Sequence, residues 1–123
     1  YINWEIYLAT PDGEHQENLT LSRELESAPV FSPDGTLLAY EMKNARRVWF
    51  EMSTYAVGED PRYCIGAIDF DRGDRRTLDC PDLGVNRLPV FSPDGAAVAF
   101  WSFRSADPSQ SLQRRYDHPF WAL

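Results

Sequence analysis

The chain has 123 residues, of which 43% are hydrophobic and 25% charged, a balance that excludes global disorder. Its net charge of −7 argues against nucleic acid as a partner, because holding phosphates takes clustered Lys and Arg. No apolar run approaches the roughly 18 to 20 residues that span a bilayer as a helix.

The chain begins at Tyr1 with neither an initiator Met nor a basic-then-apolar leader. That start is open to a removed signal peptide, a removed anchor or preceding repeats. Residues 5–10 (EIYLAT) read as a strand, Pro11-Asp12-Gly13 as a turn, and residues 16–20 as a short return strand.

The heptapeptide PVFSPDG follows at residues 29–35 and recurs at residues 89–95. Each copy reads as the end of one strand, a tight turn and the start of the next. Pro33 pre-sets φ for the first central turn position, Asp34 bonds the local backbone, and Gly35 tolerates the positive φ that closes a hairpin. Pro93, Asp94 and Gly95 repeat that chemistry. An apolar strand follows each turn, TLLAY at 36–40 and AAVAF at 96–100. Between the two copies, residues 67–71, the turn Arg72-Gly73-Asp74 and residues 75–78 repeat the first hairpin.

Residues 43–62 break the pattern. Within them, residues 46–57 are rich in β-branched and aromatic side chains and read as an additional strand. Trp49 and Tyr55 would share one face of it. The strand either lengthens a hairpin packed on its own sheet or offers Trp49 and Tyr55 as an interaction edge.

Cys64 and Cys80 flank the second hairpin, and a turn centred on residues 72–74 places them nearly opposite one another. A bridge would staple the hairpin and imply an oxidising, periplasmic or otherwise extracytoplasmic compartment. Two reduced, buried thiols in a cytosolic protein remain the alternative. Residues 102–113 are polar and read as a loop or linker. The tail at 114–123 carries Tyr116, Phe120, Trp121 and Leu123, which would dock either on this domain or on a partner.

Taken together, these hairpins resemble the TolB-type β-propeller repeat. Its consensus runs from an "IYV-D-DG-R-LT" hairpin into a "P-FSPDG--LAF" hairpin. Residues 6–20 with 29–40, and 68–78 with 89–100, carry the likeness. It implies an all-β fold of antiparallel, propeller-like blades. A blade takes about 40 to 45 residues and a ring roughly four to eight blades, so the chain holds about two blades of an incomplete ring. The expected organisation is two blades over residues 1–103, with the insertion at 43–62, and a linker and aromatic tail over 104–123.

No chemistry-bearing motif accompanies this pattern. A nucleophile elbow, a phosphate-binding glycine loop and zinc spacing are all absent, and His15 and His118 lie far apart. Residues 69–74 (DFDRGD) lack the rest of a calcium loop and are explained as a turn. The expectation is therefore a protein without enzymatic activity, cofactor or metal. It would be a structural or protein-interaction subunit docked on a larger extracytoplasmic assembly, touching a membrane only through a partner or a removed anchor. An unclosed blade array motivates this reading, since open strand edges and apolar faces are ordinarily covered. The alternative is a fragment of a propeller-containing peptidase or polysaccharide lyase whose catalytic domain lies elsewhere.

Overall fold

The computed structural model describes residues 4–43, 62–81 and 84–104, and in them the chain forms eight β-strands and no helix. Strands β1 (Tyr7–Ala9) and β2 (Gln16–Asn18) make a two-stranded antiparallel hairpin. Strands β3 (Leu25–Phe31), β4 (Leu37–Lys43), β5 (Tyr63–Asp69) and β6 (Asp74–Asp79) form a continuous antiparallel meander. Strands β7 (Gly84–Phe91) and β8 (Val98–Arg104) are a second PVFSPDG hairpin. A single parallel pairing, Tyr63 with Val85, ties that hairpin to the meander.

The turns are built from one device used three times. Ser32 Oγ donates to Asp34 Oδ1 (2.7 Å), the Thr36 amide donates to the same oxygen (3.0 Å), and the Leu37 amide donates to Ser32 Oγ (2.9 Å). Ser92, Asp94, Ala96 and Ala97 reproduce these bonds at 2.6, 3.0 and 3.0 Å. Thr10, Asp12, Glu14 and His15 do so again in the first hairpin, at 2.6, 3.0 and 3.2 Å. Gly35 sits at φ 76° and Gly95 at φ 73°, a region that L side chains rarely adopt.

Repeat and hydrogen-bonded unit start at different points. In sequence the repeat is a short hairpin followed by a PVFSPDG hairpin, whereas β4 pairs with β5 over the full run from Leu37↔Asp69 to Lys43↔Tyr63. The first PVFSPDG hairpin thus belongs in one sheet with the hairpin that follows it. The eight described strands form a two-stranded sheet, β1–β2, and a six-stranded sheet in which the β3–β6 meander is joined to the β7–β8 hairpin.

Burial follows from this stacking. β1–β2 lies against one face of the meander, where Ile6, Leu38, Tyr40 and Ile68 form the core. β7 approaches the opposite face, so β4 and β5 are buried on both sides and lose the in-out alternation of a half-exposed strand. Gly66, opposite Tyr40, has no side chain because the Tyr40 ring fills the space: a Cβ there would lie 2.6 Å from the ring.

One expectation meets the structure at a strand end. Residues 102–104 are strand and not the start of a loop, since Ser102, Phe103 and Arg104 pair with Asn86, Val85 and Gly84. Backbone partners waiting on β7 outweigh their polar composition. The remainder of the expected insertion, 44–61, and the tail beyond 104 lie outside the described residues.

Candidate interaction surface

Glu41, on β4, shows how successive units join. Its Oε1 accepts hydrogen bonds from the Leu88 amide (2.7 Å) and from Arg87 Nε (3.0 Å), and its Oε2 accepts from Ser27 Oγ (3.1 Å). Leu88 has φ 55° and sits in the register shift between Arg87 and Val90, so the carboxylate satisfies an amide that the bulge has turned out of the β7–β8 ladder. Ala28, the same position of the first repeat, has φ 52° inside the equivalent shift on β3. The bulge thus recurs at the same position of both PVFSPDG hairpins, and at Leu88 it turns an amide toward the meander.

The two PVFSPDG hairpins share their sequence but not their surroundings. On β4, Ala39 is 0% and Glu41 8% exposed, and Glu41 lies against Arg87 and Leu88 of β7. Their repeat equivalents on β8 are Ala99 and Trp101, and Trp101 is 75% exposed. Val90 pairs with Ala99 and shares that face at 53% exposure. This apolar face of β7–β8 occupies the position that carries a packed neighbour one repeat earlier. β8 is also the terminal strand of the six-stranded sheet among the described residues.

Charge is arranged around, not within, this face. Arg104 Nη2 meets Asp79 Oδ2 at 2.5 Å, and Asn86 Nδ2 donates to the same oxygen at 2.7 Å, tying β8 and β7 to β6. The turn carboxylates of Asp12, Asp34 and Asp94 are held below the usual Asp range. In Asp34 the Thr36 amide is the leading cause, and in Asp12 and Asp94 it is the Thr10 or Ser92 hydroxyl. Glu26 is the opposite case, because burial pushes its carboxyl up despite a hydrogen bond from Ser22. It borders a recess of about 200 Å³ shared with Tyr40, Arg75 and Arg76.

Of the residues singled out in the sequence, Pro33, Asp34, Gly35, Pro93, Asp94 and Gly95 stand in the two PVFSPDG turns. Cys64 and Cys80 are disulfide-bonded, with Cα atoms 4.3 Å apart, at the open end of the β5–β6 hairpin. Trp49, Tyr55, Tyr116, Phe120, Trp121 and Leu123 lie outside the described residues. Sequence reasoning passed over Glu41 and Trp101. Superposing the two PVFSPDG copies would have exposed them, because a charged residue and a Trp occupy the same repeat position.

Fold and surface together define an all-β repeat protein with one sheet open at its end. The chain is similar to the Protein TolB homolog of Chlorobium luteolum, with 29% identity over 130 aligned positions covering 85% of this chain. It carries a TolB-like repeat region across that span. The alignment takes in 30% of the relative's length, so the chain spans under a third of that protein. No family model matches it.

Proposed function

We propose that this chain is a non-catalytic protein-interaction module made of TolB-like propeller blades: one complete blade, β3 to β6, flanked by two half-blades. It works in an oxidising, extracytoplasmic compartment as part of a larger protein assembly. The observation that carries the reading is the contrast between β4 and β8. One PVFSPDG hairpin buries its Ala39–Glu41 face under a neighbour, while the other presents Val90 and Trp101 to solvent. Exposed aromatic faces of this kind are where protein partners dock. The Cys64–Cys80 bridge supports the location, since such bonds persist in oxidising compartments. Likeness to a TolB homolog supports the blade architecture.

A photo-crosslinking amino acid at position 101, introduced into the chain in its own cell envelope, tests the reading. A defined protein adduct at that position is expected, and substituting a surface position on β6 should give none. Absence of any adduct at 101, with the chain a stable monomer, would overturn it.

A further inference from the structure

We propose that a recess at the junction of the meander with β7 binds a small carboxylate bearing a hydrogen-bond donor on the neighbouring carbon, the α-hydroxy or α-amino acid class. This goes beyond the docking reading and does not rest on it. The recess lies where β4 ends and β5 begins, has a volume of about 150 Å³, and counts Ser27, Glu41, Lys43, Tyr63, Asn86 and Arg87 among its lining residues. A water's share of the liquid is about 30 Å³, so there is room for a molecule of a few heavy atoms.

Asn86 brings an unmatched acceptor to this recess. It is 1% exposed, and its Nδ2 donates to Asp79 Oδ2 (2.7 Å) and to the Asp79 carbonyl (3.3 Å). Those two bonds fix the amide, because only its NH2 side can donate. Oδ1 is therefore turned from Asp79, and it accepts no hydrogen bond from the described residues. A buried acceptor in this state favours a ligand that brings it a donor. Glu26, the same position of the preceding repeat, is 2% exposed, leaves Oε2 equally unmatched and borders the recess of about 200 Å³. Both repeats thus set an unmatched buried oxygen beside a recess, on an amide in one and a carboxyl in the other.

The charged groups set the sign of the ligand. Glu41 is the acid of the recess, and its two oxygens already accept from the Leu88 amide, Arg87 Nε and Ser27 Oγ. Arg87 gives Glu41 only its Nε, so the Nη pair of its fork is the side suited to a second carboxylate. Lys43 brings another cation, its Nζ 5.1 Å from the centroid of the Tyr63 ring. Two cations against one compensated carboxylate favour an anion and disfavour a cation. A bare anion, however, would leave Asn86 Oδ1 unmatched. A carboxylate with an adjacent hydroxyl or amine meets both demands: the carboxylate goes to Arg87 and Lys43, and the neighbouring donor to Asn86 Oδ1.

Lactate, alanine and propionate, nearly equal in size, provide the test, since they carry an α-hydroxyl, an α-ammonium and neither. Each is titrated into the full, isotope-labelled chain while the Asn86 side-chain amide and Arg87 Nε resonances are followed by NMR. Saturable shifts of both groups at millimolar concentration are expected for lactate or alanine, with affinity at least about tenfold above that of propionate. Asn86→Leu, confirmed folded by circular dichroism, should bring all three to the level of propionate, whereas Lys43→Met should weaken all three together. No saturable shift with any of them, equal binding of propionate, or a preference that survives Asn86→Leu would overturn the proposal. Should Asn86→Leu not fold, the comparison of lactate and alanine with propionate on the unsubstituted chain decides by itself.

Discussion

Ser32 and Asp34 show how much a single turn can organise. The hydroxyl and carboxylate oxygens of this pair accept the Leu37 and Thr36 amides, groups that the sharp reversal would leave without strand partners. The acid side of the stability profile combines two opposed contributions. For Asp34 and Asp94 the folded pKa is lowered, so their stabilisation is present above the ordinary value of 3.8 and is lost as pH falls through the lowered one. Asp34→Ala and Asp94→Ala should lower the thermal midpoint at neutral pH and converge on the parent in strong acid. Glu26 has a raised folded pKa, so its contribution is complete below the unfolded value of 4.5 and is lost as pH rises through the folded one. Glu26→Gln mimics the protonated form. Its midpoint should match the parent near pH 4 and exceed it increasingly toward neutrality, and a constant offset across that range would contradict the assignment.

At the level of elements, β5 holds the meander together, because it pairs with β4, with β6 and at one point with β7. Gly66 at its centre lets the Tyr40 ring lie flat across the strand. Gly66→Ala should cost about 1 to 3 kcal/mol by overpacking, measured by chemical denaturation. Tyr40→Leu in the same background should recover part of that loss if the ring is the obstacle. The Cys64–Cys80 bridge closes a loop of sequence separation 16 at the open end of the β5–β6 hairpin. Its removal by a double Cys→Ala change should cost about 3 kcal/mol, and reduction of the unmodified chain should give a similar loss. A reductant-insensitive midpoint would show that the bridge contributes nothing to the folded state.

At the scale of the whole molecule, the described hairpins pack on one another in chain order, so stability depends on the junctions between them. The junction between the meander and β7–β8 runs through Glu41. Glu41→Ala should cost about 2 kcal/mol, since it leaves the Leu88 amide without its acceptor. The loss should be local: amide exchange ought to accelerate across β7 and β8 while β4 and β5 keep their protection. Uniform acceleration would mean that the two parts unfold as one unit. Trp101, at the corresponding position of the open end, should be replaceable by Ser with little change in stability but with loss of whatever packs there.

The turns, the twofold repeat and the all-β character were legible from residues 29–35 and 89–95, because turn chemistry is local and each residue's part in it depends only on its near neighbours. Strand placement around them was readable for the same reason. Which hairpins share a sheet was not. The β4–β5 pairing bridges a long stretch of chain, and nothing in Leu37–Lys43 alone says that its outer edge is filled. Nor could identical heptapeptides reveal that the strand after one turn, β4, is buried while the strand after the other, β8, is largely exposed. Sequence by itself determined the parts and their turns, since these rest on short-range backbone preferences. Only tertiary structure decided that Glu41 is a buried junction and Trp101 an open surface, because burial depends on which unit stands next in the stack.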